Sequence, residues 1–311
     1  MSSQNEMVKF QAEHHPLVTT EGFATDEDFC LYLMHRKAYE VAALFTADKA
    51  VLDFGCNNGY GTNILAAKTA DVIGIDVSQA AIDSATQQYV RSGLRFMCVD
   101  GGTLPFSDGE FDVVTSFQVV EHLTDPDAYL KEIKRVLRPS GILLLTTPQA
   151  AIRLDPGMKP WNPFHVREYR AHELESQIAR HFKTVLIRGL FASEPVYSVE
   201  YRRCQSGLAD ARRSNKIRLP SYTEVRTFAI NAIKAALPES SVNQVRAWIR
   251  SRSSVGTADN KSIDAHATTA CPFESKYSTN DFFYCNENFD KALDLLAIAS
   301  EASDLKLPMK L

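Results

Sequence analysis

The stretch VLDFGCNNGYG at residues 51–61 decides the fold that this chain is predicted to adopt. A short apolar run ends in Asp53 and continues into a turn that contains Gly55 and Gly59. Glycine lets the backbone approach a ligand closely, and a helix that begins after such a turn directs N–H groups toward that ligand. The pattern therefore predicts a β-strand, a ligand-binding turn and a helix that begins near Gly61.

Two further apolar runs also end in acidic residues, VIGID at Asp76 and FMCVD at Asp100. Acids at the ends of consecutive strands indicate a nucleoside cofactor held along one edge of a parallel sheet, and an acid about 20 residues past the turn commonly binds the ribose hydroxyls. The dinucleotide motif G-x-G-x-x-G is absent, because Asn57 stands where its second glycine is expected. The turn therefore suits a cofactor without a pyrophosphate.

Five segments in order resemble one family: DFGCNNGYGT, GIDVS, CVDGGTLPF, FDVVTSFQVVEHL and LRPSGILLLTTP. Over roughly residues 50–148 the chain resembles a class I S-adenosylmethionine-dependent methyltransferase of the type 11 kind. The resemblance implies S-adenosyl-L-methionine as the cofactor. It also implies a doubly wound, Rossmann-like α/β fold whose seven-stranded sheet is mostly parallel, with one antiparallel strand.

The same resemblance assigns cofactor contacts to residues in and after these segments. Asp76 is expected to hold the ribose, Asp100 the adenine amino group, and Gln118 to lie near the sulfonium. The complete set implied for cofactor binding is Asp53, Gly55, Cys56, Gly59, Asp76, Val77, Asp100, Gly101 and Gln118.

The sequence specifies the acceptor site less clearly than the cofactor site, and two histidines are its candidate catalytic residues. Asn162–Tyr169 (NPFHVREY) resembles a segment found over the acceptor pocket in a subset of these enzymes, which makes His165 a candidate general base or acceptor-orienting group. His122 is the second candidate, since histidine titrates near neutral pH. The alternative is that both are structural, with His165 pinning its loop to the following helix.

We expect a hydroxyl acceptor on a small or carrier-linked molecule, with a sugar or polysaccharide precursor favoured by the resemblance. Three alternatives remain: an N-methyltransferase acting on a small metabolite, a nicotinamide-dependent oxidoreductase, and a non-catalytic binding module that keeps the cofactor fold. The missing glycine argues against the oxidoreductase, and the three strand-end acids argue against the binding module.

Four regions are expected along the chain. Residues 1–48 are predicted to form an N-terminal arm and a cap helix, and residues 49–197 the cofactor-binding core. Residues 198–270 are predicted to be a basic helical insertion, compatible with contact to a phosphorylated acceptor or an anionic membrane surface. Residues 271–311 are expected to complete the core with a strand at 281–285 and an apolar helix at 292–299.

Composition narrows the class of protein. The chain has 311 residues, 45% of them hydrophobic, and a formal net charge of -4, so nucleic acid is not an expected partner. No run approaches the roughly 18 apolar residues of a membrane span, and no secretory signal is recognised. The six cysteines form no C-x-x-C pair. We therefore predict a reduced, cytoplasmic protein without a metal site, and make no prediction of its oligomeric state.

Overall fold

One eight-stranded sheet organises the part of the chain that the structure, a computed structural model, describes: residues 17–69, 71–216, 276–305 and 307–308. Its strands are β1 Ala50–Phe54, β2 Asp71–Asp76, β3 Leu94–Cys98, β4 Phe111–Phe117, β5 Leu137–Pro148, β6 Thr184–Ala192, β7 Phe282–Cys285 and β8 Asp294–Ser300. The helices are α1 Asp26–Ala42, α2 Tyr60–Leu65, α3 Gln79–Gln88, α4 Pro126–Val136, α5 Ala150–Arg153, α6 Ala171–Ile178 and α7 Glu194–Lys216. Short 3-10 turns occupy Val120–His122, Thr279–Asp281 and Phe289–Lys291.

The strand order is β3-β2-β1-β4-β5-β8-β6-β7. Strands β1 to β5 are parallel to one another, whereas β8 is antiparallel to both of its neighbours, β5 and β6. Strand β7 is antiparallel to β6 at the edge of the sheet. The predicted doubly wound α/β class is confirmed, but the sheet has eight strands instead of seven, and two of them run against the rest.

The apolar helix predicted at 292–299 is wrong, because this segment forms strand β8. All seven of its residues are buried, between β5 on one side and β6 on the other. A strand buried on both faces carries apolar residues on both, as Leu295 to Ala299 do, so it shows neither the alternation of a surface strand nor a helical period. The strand predicted at 281–285 is present as β7.

Local signals at helix ends agree with the structure elsewhere. The Ser78 side chain accepts a hydrogen bond from the Ala81 N–H and caps α3, and α4 begins at Pro126 after the capping residue Asp125. The final αβ unit predicted near 171–189 is formed by α6 and β6. These ends are decided by side chains within a few residues of the first turn, which is why sequence alone predicts them.

Alternate residues of the parallel strands enter two separate cores. Leu52 of β1 packs in a cluster that includes Ile133 of α4, while Val51 packs in a second cluster that includes Tyr39 of α1. Helices therefore cover both faces of the sheet, and the carboxyl ends of the parallel strands open at one edge.

The predicted boundary at residues 197/198 falls inside a helix, because α7 continues from Glu194 to Lys216. The chain divides into two units, and residues Asp210–Thr268 make up the second. Of this second unit the structure describes only residues 210–216. The helices predicted near 221–237 and 240–250 and the polar stretch at 251–270 lie outside the described residues, so the domain boundaries stay a prediction.

Candidate active site

A cavity of about 610 Å³ opens at the carboxyl ends of the parallel strands, where the order reverses between β1 and β4. Ligands of open α/β sheets bind at such a switch point, and the volume lies in the range of small-molecule sites. One end of the cavity is lined by the turns after β1, β2 and β3. The other end is lined by the segments after β4 and β5 and by α7.

The turn after β1 has the backbone that its residues predict. Gly55, Asn57 and Gly59 all have positive φ angles, of 80°, 47° and 78°. The N–H groups of Gly55 and Cys56 both donate to the Ile75 carbonyl, which ties the turn to the neighbouring strand β2. Gly55, Cys56 and Asn57 line the cavity, whereas Gly59 caps α2 behind it.

Asn57 has a second role that sequence reasoning missed. Its Oδ1 accepts hydrogen bonds from the N–H groups of Asn58 and Val18, at 2.8 and 3.1 Å, and the Asn58 amide donates to the Val18 carbonyl. The N-terminal segment is thereby held over the turn, and Leu17 and Val18 become part of the cavity wall. The adjacent asparagines Asn57 and Asn58 were the sequence feature from which this contact could have been predicted.

Asp53 lies beneath the turn and does not line the cavity. It is fully buried and accepts hydrogen bonds from the hydroxyls of Thr62 and Thr115, at 2.6 and 2.8 Å, and from Tyr39 at 3.3 Å. Burial raises the pKa of this carboxyl to about 6, although the three hydroxyls oppose that shift. In this position Asp53 joins β1 to α1, α2 and β4 and supports the turn from below.

Asp76 lies on the cavity wall and is held there by the backbone. One carboxylate oxygen accepts the Asn57 N–H and the other the Ser78 N–H, both at 2.9 Å. The two oxygens of a carboxylate suit the two hydroxyls of a vicinal diol, so the ribose role stays a prediction for this residue. Val77 lines the cavity beside it.

Asp100 is exposed and turns away from the cavity, with its Oδ1 accepting the Gly102 N–H at 2.9 Å. The backbone of Gly101 and Gly102, in contrast, lines the cavity. The segment after β3 is therefore at the predicted place, but its glycines reach the cavity wall and the acid does not.

Gln118, at the end of β4, has a φ of 58° and contacts an acid that sequence reasoning missed. Its Nε2 donates to Thr146 Oγ1 at 3.2 Å and to Asp294 Oδ2 at 3.1 Å. Asp294 is 3% exposed, lines the cavity, and has a pKa raised well above its usual range by burial. It was missed because its segment was taken for a helix.

The far end of the cavity contains Glu121, His122 and His165. Glu121 is fully buried. Its Oε2 accepts the Thr147 hydroxyl at 3.0 Å, and its Oε1 has no hydrogen-bond partner among the described residues. Burial raises the pKa of Glu121 to about 7, and the nearby His165 acts in the opposite direction. The two imidazole rings are perpendicular, with centroids 4.9 Å apart.

His165 is held through both of its ring nitrogens. Nδ1 lies 2.7 Å from Glu168 Oε1, and Nε2 lies 2.9 Å from the Asn162 amide nitrogen. Because a carboxylate only accepts, we place the proton of the neutral ring on Nδ1 and the acceptor lone pair on Nε2. Glu168 is itself paired with the buried Arg153 through contacts of 2.8 and 3.0 Å.

Helix α7 also reaches the cavity, which the prediction of a basic insertion did not anticipate. Arg203 and the buried Glu200 both line it, and Arg203 Nε donates to Glu200 Oε2 at 2.7 Å. Two aromatic residues of the neighbouring segment, Trp161 and Tyr169, do not line the cavity, and Tyr169 is fully buried in the core. Among the helices of the described residues, none combines the length and the apolar character that crossing a membrane requires.

Comparisons with known proteins agree with this geometry. Residues 52–145 match the family described as "Methyltransferase domain". A probable S-adenosylmethionine-dependent methyltransferase of Mycobacterium tuberculosis is 38% identical over 159 residues, which is 50% of this chain and 57% of the relative. A ubiquinone biosynthesis O-methyltransferase of Psychrobacter arcticus is 35% identical over 118 residues, 36% of this chain and 45% of that protein.

The chain therefore spans about half the length of these curated relatives, 57% of one and 45% of the other. Among solved structures, the [4+2]-cyclase SpnF aligns over 92% of this chain and 86% of its own, with 20% identity and a TM-score of 0.46. A score below 0.5 carries no argument, so the description of the fold rests on this chain's own strand order.

Proposed function

We propose that this chain, which carries a class I S-adenosylmethionine-dependent methyltransferase domain over residues 52–145, transfers a methyl group to a hydroxyl of a small or carrier-linked acceptor. The observation that carries this proposal is one continuous cavity with two chemically different ends. Asp76, oriented by two backbone N–H groups, lies at one end, and the histidines lie at the other.

The residues at the first end fit the cofactor. Asp76 would bind the ribose hydroxyls, the Gly55–Asn57 turn would hold the methionine part, and the backbone at Gly101 would lie against the adenine. When bound, S-adenosyl-L-methionine supplies a methyl group on a sulfonium, whose carbon–sulfur bond breaks as the bond to the acceptor oxygen forms. The protein's contribution is to align the two reactants and to exclude water.

The histidines would hold the acceptor hydroxyl at the second end. Glu168 fixes the His165 tautomer and orientation, and the Phe164 carbonyl does the same for His122, whose Nδ1 lies 2.9 Å away. In both rings Nε2 is then the nitrogen that would orient the hydroxyl or take its proton, and at His165 the hydroxyl would replace the Asn162 amide, which lies 2.9 Å from Nε2. The resemblance of Asn162–Tyr169 supports a sugar or polysaccharide precursor as the acceptor, and a cytoplasmic location stays a prediction.

Two binding measurements and a product assay test this function. We expect labelled S-adenosyl-L-methionine to bind and NADH not to bind, and an acceptor screen by mass spectrometry to find the gain of one methyl group on oxygen. Binding of NADH alone would favour the oxidoreductase. Cofactor binding without turnover on any acceptor would favour the binding module, and a product methylated on nitrogen would replace the hydroxyl acceptor.

Replacing His165 with Ala should lower turnover while cofactor affinity stays nearly unchanged, because His165 lies at the acceptor end. His181→Ala is a matched control, since His181 is paired with Asp127 and does not line the cavity. Normal turnover of the His165→Ala protein would leave this histidine with a structural role only.

A further inference from the structure

Three potential metal ligands meet at the acceptor end of the cavity: Glu121, His122 and His165, called the Glu–His–His cluster below. One ligand atom from each residue lies within 4.8 Å of the others. Glu121 and His122 belong to the turn after β4, and His165 belongs to the segment after β5. The cluster is thus formed by the fold from two distant parts of the sequence.

Glu121 has an unmet hydrogen-bonding requirement in a buried position. The residue is fully buried, and within the described part of the chain only one of its two carboxylate oxygens, Oε2, accepts a hydrogen bond, from Thr147. Its backbone carbonyl accepts the N–H groups of Val166 and Arg167, which fixes the turn against the segment that carries His165. A buried carboxylate oxygen without a donor is costly unless a cation compensates the charge or a proton neutralises it, and a metal ion at this position would do the former.

Both histidines have the outer hydrogen bonds that are typical of metal ligands. His122 Nδ1 lies 2.9 Å from the Phe164 carbonyl oxygen, and His165 Nδ1 lies 2.7 Å from the Glu168 carboxylate. Metal-binding histidines almost always donate their second ring N–H to a carbonyl or a carboxylate, which fixes the tautomer and presents the other nitrogen to the ion. In both residues that other nitrogen is Nε2.

The contact between Asn162 and His165 competes with metal binding and therefore provides a test of it. Asn162 Nδ2 donates to His165 Nε2 at 2.9 Å, and the amide orientation is set by Phe164, whose N–H donates to Asn162 Oδ1. An ion on Nε2 must therefore displace the Asn162 amide. If His165 Nε2 is a metal ligand, removal of the Asn162 amide should increase the affinity for the metal ion. If His165 only holds its loop in place, removal of the amide should leave the metal affinity unchanged.

We propose that Glu121, His122 and His165 bind one divalent transition-metal ion. Two imidazole nitrogens and one carboxylate oxygen with open remaining positions form a donor set suited to Zn²⁺ or Mn²⁺. The site revises the prediction, made from the sequence, that no metal is bound. If the proposed methyl transfer holds, the open positions take the acceptor's hydroxyl oxygen and lower its pKa, which restricts the acceptor to a molecule that presents a coordinating oxygen.

Titration calorimetry of the full chain, stripped with a chelator and titrated with ZnCl₂ or MnCl₂ alone, tests the site. We expect one ion per chain, about tenfold or more weaker binding in Glu121→Gln, and tighter binding in Asn162→Ala. His181→Ala, which removes a partly buried histidine paired with Asp127 away from the cavity, should bind as the wild type does. Circular dichroism of each variant checks that the fold is kept.

Absence of binding to the wild type, or equal affinity in the Glu121→Gln protein, would overturn the metal site. Equal affinity in Asn162→Ala would also count against Nε2 of His165 as the ligand atom. Binding of S-adenosyl-L-methionine is measured on the same stripped protein. Cofactor binding without metal binding refutes this site alone, and metal binding without cofactor binding refutes the methyltransferase proposal alone.

Discussion

Replacement of Asp76 with Ala tests the assignment of the ribose most directly. In the structure the two oxygens of Asp76 each accept one backbone N–H at 2.9 Å, from Asn57 and Ser78. These contacts aim the carboxylate at the cavity, where a ribose diol would donate to it. The substitution removes the ribose acceptor and also releases the two N–H groups that hold the turn in register with β2.

The expected loss follows from the cost of leaving polar groups unsatisfied in a partly buried site. That cost is about 1–3 kcal/mol, which corresponds to a roughly 5- to 150-fold increase in Kd. The lower part of this range applies if water reaches the ribose hydroxyls, because Asp76 is only half-buried. Asp76→Asn keeps one accepting oxygen and should lie between the wild type and Asp76→Ala.

Calorimetric titration with S-adenosyl-L-methionine measures the effect. Asp71→Ala is the matched control, since Asp71 is an exposed acid at the other end of β2, paired with Arg95 at 3.2 Å. Its Kd should equal that of the wild type. If Asp76→Ala binds the cofactor within about twofold of the wild type, while urea denaturation shows that it is folded, the ribose is not held at Asp76.

Three further predictions concern stability and are measured by urea denaturation. Burial raises the pKa of Asp53 from 3.8 to about 6, so the folded protein binds more protons than the unfolded chain between these values, and stability should fall as pH rises from 4 to 6. The wild type should therefore lose on the order of 3 kcal/mol relative to Asp53→Asn between about pH 3 and about pH 7, most of it between the two pKa values; a pH-independent difference would contradict the buried carboxyl. Gly59→Ala should cost roughly 2–4 kcal/mol, because its φ is 78° and the new methyl group would lie 2.6 Å from a phenylalanine ring. Gly157→Ala, with a φ of 76° and nothing within 4 Å, should cost only the backbone part, and equal losses would refute the steric clash. Arg153→Met should cost roughly 3–5 kcal/mol because it removes the guanidinium that compensates the charge of the buried Glu168 and leaves only the His165 contact there. The double variant with Glu168→Gln should recover stability, and no recovery would show that the pair itself is not the cause.

Features that depend on neighbouring residues were predictable from the sequence. The turn requires positive φ angles at Gly55, Asn57 and Gly59, and glycine and asparagine are residue types that tolerate such angles. The position of Asp76 followed from the same logic, because the carboxyl ends of adjacent parallel strands meet at one edge. The helix caps at Ser78 and Asp125 are equally local.

Features that depend on what a segment packs against were not predictable. Strand β8 was taken for a helix because burial on both faces removes the alternation that identifies a strand. Asp294, the first residue of this strand, was therefore not identified as a residue of the site. Arg203 falls within the predicted basic insertion at 198–270, whereas the continuation of α7 brings it to the cavity beside Glu200.

Sequence alone determined the class of fold, the cofactor turn and the acid at the end of β2, since each is encoded by residues that are close together in the chain. Tertiary structure decided the rest of the site. It buried Asp53 beneath the turn, directed Asp100 away from the cavity, and joined Glu121 and His122 to His165. The physical reason is that burial and side-chain contact depend on distances through space, and no pattern of neighbouring residues specifies those distances.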